Sequence, residues 1–429
     1  MAVHDMARGG RAPSTAVGDA AAAFRERLLL VVLYVVILTS SIAFIEPSPH
    51  DGLMGLLAIV CVIAGVRFER AIAPLVILLV VFNFGGLLSL LNVAGQEKTI
   101  QYTGTSLYLA CAAILFAALL SHHVMPRIAT ICAAYILTAV ITSCAGIVGY
   151  FSLFPHAHDL FTDYDRALGT FKDPNVFGPF LIWPALVLIE RMLAHRIGMI
   201  DLLSLGIMLV GLLLSFSRGA WFHFAVSGGI MTTLSLLTAP TSRIRMRILV
   251  MAGIGAAAIV AFAAILLSFD SIAHMFRERA QLLQYYDVGS GGRFRLQELA
   301  LGAMLDFPNG MGPYQFGVVH GTQQHNVYLQ AFLVYGWLGG VTYLVLLGTT
   351  LMVGLRALPI RTPWQPYLIC AYATFIGQVL EGFVIDTDHW RHFYLLLGMI
   401  WGLAAATFHD RRGAPAPPPR EIQGHARFG

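Results

Sequence analysis

The sequence predicts an all-α polytopic membrane protein of about twelve transmembrane helices with one large loop on the outward side, and three observations carry that reading. Of the 429 residues 57% are hydrophobic and only 12% charged, whereas a soluble chain carries roughly a quarter charged residues. The charges collect in short clusters between apolar stretches of about twenty residues, the length a helix needs to cross the hydrocarbon. The basic residues among them fall mostly on every second loop, as the positive-inside rule requires.

Taken in order, the expected spans lie near Leu28–Phe44, Gly52–Val66, Ile72–Val93, Ser106–Leu120 and Ile128–Tyr150. They continue near Val176–Leu193, Met199–Phe216, Ala220–Leu237 and Ile248–Leu267, and close with Val327–Leu355, Pro366–Val384 and Phe393–Phe408. Each run is too long for a strand. A disordered cytoplasmic tail is expected over 1–24, a transmembrane domain over 25–410 and a second tail over 411–429, the latter marked by Ala-Pro-Ala-Pro-Pro-Pro. The longest non-spanning stretch, 269–324, reads as the outward loop. Some twenty-four polar or small residues precede the first apolar run, which is not the layout of a cleavable signal. Cys61, Cys111, Cys132, Cys144 and Cys370 all fall inside apolar spans without metal spacing and read as small packing residues.

With the N-terminus in the cytoplasm and strict alternation, the bases divide about 18 inside to 9 outside, and both termini return to the cytoplasm. The outward face then carries about 15 acids against those nine bases, so outward arginines run against the trend and need a reason. Arg218, in Leu214-Ser-Phe-Ser-Arg-Gly-Ala-Trp221, stands at a tight outward turn beside a glycine that permits close approach. It is either a snorkelling anchor beside Trp221 or the partner of a polar ligand.

In the large loop, Ile272, Met275, Phe276, Ala280 and Leu283 recur at helical spacing and predict a surface helix. Gly289-Ser-Gly-Gly292 breaks it, and Arg293-Phe-Arg295 opens a second short helix. Free N–H groups at a helix start and guanidinium forks both suit phosphate oxygens, although surface ion pairs with Glu298 or Asp306 explain the arginines as well. The turn cluster Asp306-Phe-Pro-Asn-Gly-Met-Gly-Pro313, followed by Tyr314, returns the chain to the membrane and delivers Gln323-Gln324-His325-Asn326 to the next span. A neutral imidazole held there by a neighbouring amide suits a general base, and a hydrogen-bonded cap is the plainer alternative. Upstream, Asp173 reads as a helix cap with Pro174 at the first helical position, leaving Lys172 and Asn175 to meet a polar ligand. His156, His158, Asp159, Asp163 and Asp165 match no metal loop and read as a solvated acidic segment. No nucleotide-binding loop, zinc spacing or nucleic-acid footprint is present.

These pieces resemble the O-antigen ligase and polymerase superfamily of bacterial envelope glycan enzymes. The matching strings are Gly169-Thr-Phe-Lys-Asp-Pro-Asn-Val-Phe-Gly178, Leu214-Ser-Phe-Ser-Arg-Gly-Ala-Trp221, Gly292-Arg293 with Phe307-Pro-Asn-Gly-Met-Gly-Pro313, and His325-Asn-Val-Tyr-Leu-Gln330 with Tyr335-Gly-Trp-Leu-Gly339. The chain departs from the family at Gln297, where an aromatic is frequent, and at Tyr335, where an acid is frequent. The resemblance implies a bacterial inner-membrane enzyme that needs no cofactor or metal and binds no nucleic acid. It would transfer a glycan from undecaprenyl diphosphate to an acceptor hydroxyl, a glycan or the lipid A core, on the periplasmic face. It further implies His325 as general base oriented by Asn326, with Arg218 and Arg293 on the diphosphate. Arg295, Asn326, Lys172, Asp173, Asn175 and Tyr314 complete the expected substrate contacts. A lipid flippase or other multi-pass transporter is the competing reading, but such proteins concentrate ionisable residues near the bilayer midplane.

Overall fold

The structure, a computed structural model, describes residues 16–45, 48–194, 198–279, 281, 289 and 291–413. Each apolar stretch read from the sequence falls on a helix. The helices are α1 (Ala16–Leu38), α2 (Pro49–Ile63), α3 (Ala73–Leu90), α4 (Glu97–Leu120), α5 (Val124–Tyr150) and a short α6 (Ala157–Phe161). They continue with α7 (Pro174–Phe180), α8 (Ile182–Ala194), α9 (Met199–Leu214), α10 (Arg218–Thr238), α11 (Ser242–Leu266) and α12 (Asp270–Arg279). The last five are α13 (Arg293–Asp306), α14 (Gln315–His320), α15 (Val327–Ala357), α16 (Gln365–Glu381) and α17 (Arg391–Gly413). Among the described residues, eight helical stretches are long and apolar enough to cross a membrane. The all-α membrane class therefore holds.

Three local expectations change. The tail expected over 1–24 is helical from Ala16 onward, where Asp19 in the first turn and the alanines after it favour a helix; residues 1–15 lie outside the described residues, as do 414–429 of the second tail. The first span stops at Leu38 and not at Phe44. There the Thr39 and Ser40 hydroxyls donate to the carbonyls of Val35, Val36 and Ile37, competing with continuation of the helix. Finally, Thr162–Asp163 pairs antiparallel with Arg166–Ala167. Tyr164 and Asp165, at φ 48° and 56°, form the positive-φ turn that a two-residue hairpin demands.

Helix starts follow the capping rules. Ser48 and Asp51 form a capping box with Pro49 in the first turn of α2. Asp173 Oδ1 accepts from the Asn175 N–H at 2.7 Å, capping α7 as read from the sequence. In the bundle α3 packs on α15, α4 on α17, and α10 on α16. The five cysteines are free and lie in these helices.

One break in α15 organises the end of the bundle near His325. Gly336 has φ 66° and ψ −175° inside the helix, a conformation essentially reserved for glycine. The break frees backbone groups, and the turn cluster satisfies them. The Trp337 N–H donates to Pro308 O at 2.8 Å, while Met311 and Gly312 N–H groups donate to Leu333 O at 2.7 and 3.2 Å. Irregular backbone inside a membrane protein requires such pairing.

Candidate functional site

His325 stands just ahead of α15 with φ 50°, and its backbone is fixed from both sides. Asn326 caps α15: its Oδ1 accepts from Tyr328 and Leu329 N–H at 3.0 and 3.2 Å. Its Nδ2 donates to Phe383 O at 3.1 Å, and Val327 N–H donates to Gly382 O at 2.9 Å. The loop after α16 is thereby tied to the loop before α15. Gln297 of α13 adds a third strut, with Nε2 at 3.4 Å from His325 O and 3.2 Å from Phe383 O.

The amide expected to orient the imidazole is thus engaged in capping, and the ring faces a different residue. His325 Nδ1 lies 3.6 Å from Asp386 Oδ2, with the histidine side chain 45% exposed and the aspartate 21%. Nothing in the sequence singles out Asp386. It sits in Ile385-Asp-Thr-Asp388-His-Trp390 between the last two spans, where an acid-rich loop is ordinary and only the fold brings it to His325. Burial pushes the Asp386 carboxyl above the usual carboxylate range; contact with His325 pulls it down, and the neighbouring Asp388 pushes it up again. Burial also acts to raise Asp388, but the charge of His389 and hydrogen bonds from His389 and Tyr102 outweigh it and leave that carboxyl lowered. Tyr102 donates to Asp388, Gln330 Nε2 donates to the Tyr102 hydroxyl at 3.1 Å, and Gln324 donates to Gln330. This buried chain anchors the Asp388 loop to α4 and α15.

The other expected residues take the following places. Arg218 opens α10, half-buried, behind Ser217, whose Oγ accepts from Ala220 N–H, and its Nη1 donates to Gln281 O at 2.7 Å. Trp221, one turn on, stacks on Phe276 of α12 at 5.2 Å, so a helix does form over Asp270–Arg279 and lies over the start of α10; Ala280 and Leu283 of its expected repeat lie outside the described residues. Arg293 is the first residue of α13, with Gly292 at the cap position. Arg295 pairs with Glu298 at 2.6 Å on an exposed face, the plainer of its two readings. Lys172 is exposed. Asn175 Oδ1 accepts from Arg166 Nη2 at 2.8 Å, and Arg166 Nε donates to Ser215 O at 2.9 Å, which joins the hairpin to the segment just before Arg218. Tyr314, at φ 64°, meets Tyr102 edge to face at 5.2 Å. Tyr335, one of the departures, is a packing residue: it stacks on Phe82 at 4.0 Å and donates to Ser106 Oγ at 3.0 Å. The His156 and His158 cluster forms two exposed pairs, with Asp159 and Asp165, and among the described residues no group of three or more such side chains is placed to hold a metal ion.

His325 therefore meets Asp386 through its ring and Gln297 through its backbone carbonyl. Arg218 reaches the same end through α16: Gly219 lies against Glu381, the last residue of α16, and the loop that follows carries Asp386. A half-exposed histidine with an acid beside one ring nitrogen can accept a proton from a hydroxyl.

No curated protein matches the chain. Residues 203–344 match the family described as O-antigen ligase, which implies glycosyl transfer of ligase or polymerase type, with lipid-linked glycan and polysaccharide partners in general. The matched segment, about a third of the chain, runs from α9 through the Arg218 turn, the outward loop and His325 into α15, and it bears out the resemblance to the O-antigen ligase and polymerase superfamily.

Proposed function

We propose that this protein transfers a glycan from an undecaprenyl-diphosphate carrier to an acceptor hydroxyl at the periplasmic face of the bacterial inner membrane. In this reading the chain crosses the membrane about twelve times, with both termini cytoplasmic. The observation that carries the proposal is the His325–Asp386 pair at 3.6 Å, set at the end of the bundle where Arg218 opens α10.

The Asp386 carboxyl faces Nδ1 of the ring, and in this reading the proton sits on that side and leaves the Nε2 lone pair for the acceptor. Nε2 takes the hydroxyl proton as the acceptor oxygen attacks the anomeric carbon, and the bond from that carbon to the diphosphate oxygen breaks. Negative charge grows on the departing diphosphate, where Arg218 and Arg293 stabilise it. A single displacement inverts the anomeric centre, and the arginines do the work that a metal ion does in other phosphate-leaving reactions. Lys172, Arg295 and Tyr314 are assigned to the glycan or its diphosphate, while Asp173, Asn175 and Asn326 shape the walls through the caps and struts described.

The test uses purified protein in lipid, a fluorescent lipid-diphosphate glycan and a panel of acceptors including lipid A core and lipid-linked repeats. Transfer by the wild type, lost in His325→Ala and Arg218→Ala proteins that still fold, is the expected result. The productive acceptor separates ligase from polymerase. Near-normal transfer by His325→Ala rejects the base, and lipid movement across the bilayer without transfer to any acceptor replaces the enzyme by a flippase.

A further inference from the structure

The most deeply buried ionisable pair among the described residues lies beside the proposed site without touching it. His223 of α10 and Glu381 of α16 are 0% and 1% exposed, with Nδ1 2.8 Å from Oε2. The other ring nitrogen, Nε2, lies 2.8 Å from Thr374 O. A carbonyl only accepts, so Nε2 carries a proton, and one further proton is shared between Nδ1 and the carboxylate. Two buried groups are thus bound by a directional contact that fails if either moves.

The surrounding backbone is cut to admit them. A Cβ on Gly219 would meet Glu381 Oε1 at 2.8 Å, and a Cβ on Gly377 would meet the His223 ring at 2.3 Å. Gly219 and His223 are one turn apart on α10, and Gly377 and Glu381 are one turn apart on α16. Each helix therefore offers a notch and a projecting polar group to the other, and the two can mesh in only one register. That register connects the proposed functional groups. Gly219 follows Arg218, while Glu381 precedes Gly382 and Phe383, whose carbonyls hold Val327, Asn326 and Gln297, and the same loop carries Asp386.

We infer that His223 and Glu381 are positioning residues, which fix the distance between Arg218 on α10 and the His325–Asp386 pair. An intramembrane ionisable pair is costly and is retained for a function or a unique arrangement. Here the arrangement is the spacing between the group that stabilises the leaving diphosphate and the group that activates the acceptor. The inference rests on the transfer reaction proposed above.

The test measures transfer kinetics on the full-length protein in lipid, together with binding of undecaprenyl diphosphate alone. Glu381→Asp keeps the charge but withdraws the carboxylate by one methylene from both His223 and Gly219. Glu381→Gln keeps the length, and its amide donates to Nδ1 in place of the shared proton. The expected result is that Glu381→Asp folds and loses kcat on the order of a hundredfold, the loss that a misplacement of about 1 Å brings, with KM for the acceptor unchanged. Glu381→Gln restores most of kcat. The double variant His223→Leu with Glu381→Leu, which keeps the site filled, folds and is as slow as Glu381→Asp. Wild-type kcat in folded Glu381→Asp overturns the inference, and a Glu381→Asp protein that does not fold makes the pair a determinant of the fold alone and overturns it too. Arg218→Ala separates this from the underlying reaction. If Arg218→Ala binds the diphosphate lipid and transfers glycan like the wild type, the donor site has failed and the positioning role with it; if Arg218→Ala is inactive while Glu381→Asp is normal, only the positioning role has failed.

Discussion

Replacing Gly336 by alanine tests whether the break in α15 holds the 307–313 turn in place. At φ 66° and ψ −175° an alanine pays about 1–3 kcal/mol of backbone strain. Its Cβ would also lie 2.8 Å from the Asn309 carbonyl carbon and 3.0 Å from Asn309 O and Pro308 O. These are backbone atoms with no rotamer to retreat into, so the 307–313 turn has to withdraw. Withdrawal breaks the hydrogen bonds from Trp337, Met311 and Gly312 N–H groups, at about 1 kcal/mol net each. The combined cost is about 4–6 kcal/mol, comparable with the whole stability of a folded domain, about 5–15 kcal/mol. Gly348, in the same helix, has nothing within 4 Å of an added Cβ and no positive φ, so Gly348→Ala is the control and changes stability by about 1 kcal/mol or less. The assay is the apparent melting temperature of both variants in lipid nanodiscs, followed by glycan transfer well below it. A Gly336→Ala protein that melts with the wild type refutes the account of the break, and so does a control that falls equally far.

Three further outcomes are expected. Asp386→Asn leaves the fold intact and lowers kcat more than KM, since the lost charge serves the imidazolium that forms during transfer; unchanged kcat removes Asp386 from the site. Asp388→Asn is less stable than the wild type at neutral pH. The lowered Asp388 carboxyl contributes stability that is present above its ordinary value of 3.8 and is lost as pH falls through the lower folded value, so the gap between the two unfolding curves closes only below about pH 3.8, and a gap that closes above pH 5 contradicts the assignment. Arg295→Ala costs less than about 1 kcal/mol of stability because its pair with Glu298 is exposed, so any large fall in transfer by that variant reports contact with substrate.

The sequence discloses those features that lipid and local chemistry dictate. An apolar run of spanning length has one backbone solution, which is why each expected stretch falls on a helix, and Asp173-Pro174 is a cap wherever it occurs. His325 was legible because it ends a loop and begins a span. Its partner was not. Asp386 is one of several acids in outward loops, and its position opposite His325 follows from Phe383 being bound by Asn326 and Gln297, contacts between segments far apart in the chain. The same holds for Gln297, whose departure from the frequent aromatic is explained by those two hydrogen bonds, and for the His223–Glu381 pair, since a single histidine in an apolar run gives no sign of a carboxylate on another helix.

The arginines that the sequence reading puts on the outward side divide once their neighbours are known. Arg166 satisfies Ser215 O where α9 has ended and holds Asn175. Arg391 opens α17 but is bound to both carboxylate oxygens of Asp51 at 2.9 and 3.2 Å and reaches Ile42 O at 3.2 Å. Both of these join chain segments at the rim of the bundle. Arg218 and Arg293 also stand first in their helices, and Arg218 donates to Gln281 O. A cation there adds to the positive end of a helix dipole, where an anion is favoured by about 0.3–1 kcal/mol. Under the proposed transfer reaction that arrangement favours an incoming phosphate, which meets a helix N-terminus and a guanidinium together. In the proposed reaction a cation at each of these two helix starts serves the departing diphosphate, which adds its negative charge where the helix dipole and the guanidinium are both positive.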